Sequence, residues 1–148
     1  MGVKMMSHKK SFSLLFFVLV AITNAHAEPI VPVPESIPGT QRVNAEAVIE
    51  VAGKFNNLVI IDSRITEDRK IGYIENSISL PDAKTNCKSL AKIISKKHTP
   101  TLFYCNGVKC GRSVVATKIA LKCGYTKIYW FRGGFEEWKS KAYPFLHE

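Results

Sequence analysis

The chain is poor in histidine: beyond its first 27 residues only His98 and His147 remain. That scarcity removes a cysteine–histidine dyad and a histidine-rich metal centre from the available chemistry. No cysteine precedes Cys87, so the start of the chain carries no site for a lipid-attached N-terminus. An apolar run long enough to anchor in a bilayer, roughly 20 residues, is also lacking. The longest, Phe12 to Ile22, has 11. Internal repeats are absent.

The first 27 residues instead have the three parts of a secretory signal: Lys4, Lys9 and Lys10, the apolar stretch to Ile22, and Ala25-His26-Ala27. Cleavage there leaves Glu28 first and predicts a protein secreted to a bacterial periplasm, with no stable membrane anchor. It also leaves 18 basic and 12 acidic side chains, a formal charge of +6 on 121 residues. That length makes one domain with one core. The positive charge favours encounter with anions. Because the lysines are scattered and the protein is exported, nucleic acid is not an expected partner.

All four cysteines, Cys87, Cys105, Cys110 and Cys123, fall in the exported part, where disulfides persist. They allow three full pairings, among which the sequence does not choose. Cys87 and Cys123 lie on the apolar sides of predicted helices and read as core packing. Cys105 and Cys110 lack zinc-ligand spacing, so no metal or other cofactor is expected.

Residues 28–42 form a proline-rich arm, extended and acting as a linker or strap, with Pro29, Pro32, Pro34 and Pro38. The domain proper is placed at 43–148. Asn44 caps a helix from Ala45 to about Lys54, with Val48, Val51 and Phe55 inward. Leu58 to Ile61 reads as a strand buried on both faces, ending in Asp62-Ser63-Arg64. Ile78 to Leu80 is a short apolar piece stopped by Pro81, and a helix runs from about Asn86 to Lys96. A strand over Thr101 to Tyr104 delivers Cys105 into a loop, followed by a helix from about Arg112. Val115, Ile119 and Cys123 are its expected inner face and Gly124 its left-handed terminator. Lys127 to Phe131 is a last strand, Gly133-Gly134 a turn, and Phe135 to Lys141 a short helix. Such alternation predicts an α/β fold with a central, mostly parallel sheet and helices on both faces.

Cys105 is the candidate nucleophile. A thiol between a strand and a helix start faces unpaired backbone N–H groups and the positive end of the helix dipole, which favour the thiolate. The N–H groups of Asn106, Gly107, Val108, Lys109, Cys110 and Gly111 can cradle an anion, with Gly107 and Gly111 permitting the backbone angles of such a nest. Lys109 and Arg112 add positive charge. Cys110, inside the loop, can form a gating disulfide with Cys105, resolve a persulfide, or line the loop.

Four segments then resemble, in order, a rhodanese-like domain between about Val43 and Pro144. Ile61-Asp-Ser-Arg64 is similar to that family's strand ending in Asp-x-Arg. Gly72-Tyr-Ile-Glu-Asn-Ser-Ile-Ser-Leu-Pro81 resembles its Gly-His-Ile-Pro-Gly-Ala-Ile-Asn-Ile-Pro segment, Cys105 falls at its nucleophile position, and Gly133-Gly134 with Trp138 resembles its Gly-Gly…Trp signature. The loop departs from the pattern. Six residues separate Cys105 from Arg112, against four in the commonest sulfurtransferase form and five in the related phosphatases. An exported subgroup carries a similar Cys-Asn-Gly-x-x-Cys-x-Arg-Ser loop. The resemblance implies a monomeric thiosulfate sulfurtransferase-type enzyme. It would move sulfane sulfur from a small sulfur-containing anion to a thiol or protein acceptor through a persulfide on Cys105, with Asp62 and Arg64 structural. Alternatives are a non-catalytic binding module or sulfur carrier, and a thiolate-based phosphatase or arsenate reductase.

Overall fold

The computed structural model describes residues 1–2 and 32–148. The segment read as a secretory signal lies outside the described residues apart from Met1 and Gly2, as does the start of the arm. The fold below is that of the unit Val31–Glu148.

Five short strands, β1 (Thr40–Val43), β2 (Val59–Asp62), β3 (Ser77–Ser79), β4 (Thr101–Tyr104) and β5 (Ile128–Phe131), form one sheet. Their order is β1-β5-β4-β2-β3, and every pairing is parallel. The helices are α1 (Ala45–Lys54), α2 (Cys87–Ile93), α3 (Arg112–Lys122) and α4 (Gly134–Ser140). Side chains alternate across the sheet as strand geometry requires. Ile60, Leu102, Tyr104, Tyr129 and Phe131 pack with Val48 and Val51 of α1 and Phe135 and Trp138 of α4. Their neighbours Ile61, Phe103 and Ile128 face Leu90 of α2 and Ala116 and Ala120 of α3. The sheet is thus buried on both faces, which is why its central strands read as continuous apolar runs.

Local signals set several boundaries. Asn44 accepts from the Ala47 N–H at 2.9 Å and starts α1. Asn86 caps α2 in a reciprocal box with Ser89. That helix ends at Ile93, short of the expected Lys96, because Ser95-Lys96-Lys97-His98 offers no apolar side chain to hold another turn on the sheet. Gly124, at φ +84°, closes α3 as expected.

Other expectations need correction. The inner face of α3 is Val114, Ala116, Thr117 and Ala120, while Val115 is exposed. Small residues at Ala116 and Ala120 bring the helix close to the sheet, an effect that a search for bulky apolar positions overlooks. Residues 40–42 belong to the sheet's edge strand and not to the arm. The described part of the arm does act as a strap. Ile37 is buried with Val114 and Trp130, and Arg132 donates to the Pro34 carbonyl at 2.9 Å and pairs with Glu35 at 2.7 Å.

Cys87 and Cys123, read as core packing, form a disulfide. The first residue of α2 meets the C-cap of α3, with the Cα atoms 5.5 Å apart. The bridge closes a loop of 36 residues. By chain entropy such a closure stabilises by about 3–4 kcal/mol. Urea unfolding of Cys87→Ser/Cys123→Ser is accordingly expected to show a loss of about 2–4 kcal/mol relative to the oxidised protein, with an unchanged sheet by circular dichroism.

Candidate active site

β4 ends at Tyr104, and the next residue, Cys105, sits at the floor of the loop with 1% of its surface exposed. Asp62, at the end of β2, lies beside Tyr104 in the sheet register. The Tyr104 hydroxyl donates to Asp62 Oδ2 at 2.8 Å, and Arg64 grips the same carboxylate through Nε and Nη2 at 2.8 and 2.6 Å. Arg69 adds a longer contact of 3.4 Å. Asp62 and Arg64 are therefore bound to each other under the loop, in the structural role expected of them.

The far wall of the loop is the start of α4. The N–H of Phe135 donates to the Cys105 carbonyl at 2.9 Å and that of Glu136 to the Asn106 carbonyl at 2.7 Å. Gly134 makes this approach feasible: its φ is +58°, and a Cβ there would lie 2.3 Å from the Cys105 oxygen. The two glycines inside the loop have other roles than those expected. Neither has positive φ. At Gly107 a Cβ would meet the carboxylate end of the Glu136 side chain, 2.1 Å away, whereas Gly111 faces open space and precedes the first turn of α3.

The Cys105 thiol donates to the Cys110 carbonyl at 3.0 Å. Its other partner is the Ser113 hydroxyl at 3.1 Å, which in turn accepts from the Trp130 indole N–H at 3.0 Å. With the Cys105 proton directed to the carbonyl, Ser113 donates to the sulfur. Cys110 is brought back over Cys105 by a turn, its N–H donating to the Gly107 carbonyl at 2.9 Å. The two thiols lie close enough to titrate as a pair.

Within the pair Cys110 is the thiol whose pKa is lowered and Cys105 the one whose pKa is raised. Its hydrogen bond with Cys105 lowers the Cys110 pKa to about 6, helped by the N–H groups of Arg112 and Asn106 and by the Arg112 charge. The same hydrogen bond, together with burial, pushes the Cys105 thiol far above its ordinary value.

The loop mouth is also more acidic than the sequence suggested. Arg112 pairs at 3.7 Å with Asp68 and at 3.9 Å with Asp82. The Asn106 side chain donates to Asp68 at 3.3 Å. Lys109 and Val108 are exposed at the tip. Beside Asn106 opens a cavity of about 350 Å³, lined by Arg64, Asp68, Phe135, Glu136 and Lys139 among others. Ser113, Trp130, Asp68, Asp82 and Glu136 were all missed in the sequence. Only Ser113, next to Arg112, carried a positional signal. No group of metal-ligating side chains occurs among the described residues.

Iodoacetamide should therefore label Cys110 first, at a rate that falls about tenfold between pH 7 and pH 5 as the thiolate is protonated through a pKa of about 6. Peptide mapping of the alkylated protein checks this. Faster labelling of Cys105 would reverse the assignment.

The geometry matches known proteins. The family model of the rhodanese-like domain matches residues 45–141. Among curated proteins none matches the chain. The fold is similar to that of a rhodanese-related protein from Thermoplasma volcanium, at 23% identity over 73% of this chain and 99% of that one, with a TM-score of 0.59. It is also similar to a thiosulfate sulfurtransferase from Pseudomonas aeruginosa, at 24% identity over 73% of this chain and 20% of that one, TM-score 0.63. A rhodanese with anions from E. coli matches at 23% identity over 62% of this chain and 99% of that one, TM-score 0.52. The five-stranded parallel sheet, the sulfurtransferase-type fold and the extent of the family match lead to one assignment: the chain belongs to the rhodanese-like domain family.

Proposed function

We propose that the protein is a sulfurtransferase that takes sulfane sulfur from a small anionic donor such as thiosulfate onto Cys105. The observation that carries this reading is the buried Cys105 thiol at the end of β4, held by the Ser113 hydroxyl at 3.1 Å and the Cys110 carbonyl at 3.0 Å inside the loop that leads into α3. Cys105 needs to lose its proton to attack, and the Cys110 thiolate beside it is the acceptor. Attack by Cys105 Sγ on the outer sulfur of thiosulfate breaks the donor's S–S bond. Sulfite leaves with the bonding electron pair, and a persulfide anion remains on Cys105. The N–H groups that had stabilised the Cys110 thiolate are then available to the persulfide, so the negative charge moves by one sulfur without leaving the cradle.

The Ser113 hydroxyl, oriented by Trp130, supports the charge as it develops on Cys105. The reaction is placed in an exported compartment, with a thiol or a protein as sulfur acceptor. The Cys87–Cys123 disulfide supports that placement.

Mixing reduced protein, freed of reductant, with thiosulfate should release about one sulfite per chain in a single turnover, since one nucleophile breaks one donor bond. Cys105→Ser should release none. A wild type without a sulfite burst, or an equal burst from the serine variant, would overturn the reading.

A further inference from the structure

The proposed transfer leaves unexplained why the loop places a second thiol against the first. Cys110 is not a surface residue that happens to lie nearby. A turn closed by its N–H on the Gly107 carbonyl at 2.9 Å holds it, its side chain is half-buried, and the Cys105 thiol donates to its carbonyl at 3.0 Å. It occupies the cradle in which an incoming sulfur has to be held. A thiol in that position is closer to a Cys105 persulfide than any external acceptor.

We infer that Cys110 is the built-in acceptor of the bond to Cys105, so that the site reduces sulfane sulfur and releases it as sulfide. This inference rests on the persulfide reading above. After sulfite departs, Cys110 holds the proton it took from Cys105. Cys110 Sγ attacks Cys105 Sγ, the inner sulfur of the persulfide, and an S–S bond forms between the two cysteines. The bond from Cys105 to the outer sulfur breaks, that sulfur leaves with the electron pair, and it takes the Cys110 proton to become hydrosulfide.

The two cysteines supply both electrons. From the reduced pair and thiosulfate, the products are the Cys105–Cys110 disulfide, sulfite and sulfide. Each later turnover needs a dithiol reductant, small or protein-borne, to reopen that disulfide by thiol exchange. Burial of Cys105 and partial exposure of Cys110 make Cys110 the sulfur that such a reductant reaches first.

The acceptor chemistry differs from simple sulfur transfer in its products. A transferase of the ordinary kind keeps its persulfide until an outside thiophile arrives. Here the persulfide is short-lived, the end state is a disulfide, and a protein supplied with thiosulfate alone stops after one turnover in the oxidised form.

The test uses the full exported chain, reduced and then freed of reductant, mixed with excess thiosulfate without any added acceptor. Sulfite and sulfide are quantified together, and the Cys105–Cys110 peptide is weighed. Equal sulfite and sulfide, with that peptide lighter by about 2 Da from loss of two hydrogens, supports the inference. Cys110→Ser also lacks the proton acceptor for Cys105, so it should release sulfite more slowly than wild type, but without sulfide and with an adduct of about 32 Da, one sulfur atom, retained on Cys105 in proportion to the sulfite released. Sulfite without sulfide from wild type, with the 32 Da adduct retained at about one per chain, would overturn the inference while leaving the transferase reading intact. Equal sulfide from Cys110→Ser would also overturn it. No sulfite from wild type would overturn both.

Discussion

The site depends on the contact between the first residues of α4 and the backbone of the loop. When the Cys105 carbonyl accepts from Phe135, the peptide that it belongs to is oriented. Because that peptide is planar and trans, the N–H on its other side, that of Asn106, points the opposite way, into the cradle. The same reasoning turns the Gly107 N–H inward once the Asn106 carbonyl is held by Glu136. A helix start with free N–H groups thus orients the donors of a loop that contributes its carbonyls to the contact. Gly134 allows the approach, since any side chain would enter the space of the Cys105 oxygen. The Gly133-Gly134 signature, far from Cys105 in sequence, is in this sense part of the nucleophile's environment.

Beneath the loop, the buried Asp62 cluster sets where β2 and β4 end relative to one another. Asp62 is satisfied by Arg64, Arg69 and the Tyr104 hydroxyl, and Arg69 extends the network to Ser77 and Glu148. A charge this deep is tolerable only with its partners in place; losing one of them costs on the order of 3–5 kcal/mol. The arginines that look available for anion binding in the sequence are committed to this framework. Arg132 is similarly engaged with the arm, and Arg112 with Asp68 and Asp82. The Arg112 charge that helps lower the Cys110 pKa is thus shared with Asp68 and Asp82 at the loop mouth.

Much of the fold was legible because it is written locally. Asn44 and Asn86 are caps that act within three residues, Gly124 is a helix terminator, and the strands over Val59–Asp62 and Thr101–Tyr104 are apolar runs with sharp ends. The edge strand Thr40–Val43 was not legible: Gln41 and Arg42 carry no apolar signal, and the strand exists because β5 offers a free edge. The Cys87–Cys123 bridge escaped for a related reason, since it depends on how two helices meet across the sheet face. In the site, Cys105 and its loop could be found from the strand–loop–helix pattern. The charge state could not, because it follows from the inward fold of Cys110, and Asp68, Asp82 and Glu136 converge on the loop from three other segments.

The longer loop and the second cysteine are one feature. Against the shorter Cys-x4-Arg form, the additional residues provide the turn in which the Cys110 N–H meets the Gly107 carbonyl. Without that turn a cysteine in the loop would project outward, and its thiol would be an ordinary surface group. With it, Cys110 becomes half-buried and its pKa is lowered to about 6, first by Cys105 and then by backbone N–H groups of the loop. In the proposed transfer the negative charge passes from Cys110 to Cys105 and on to a bound sulfur within this one loop.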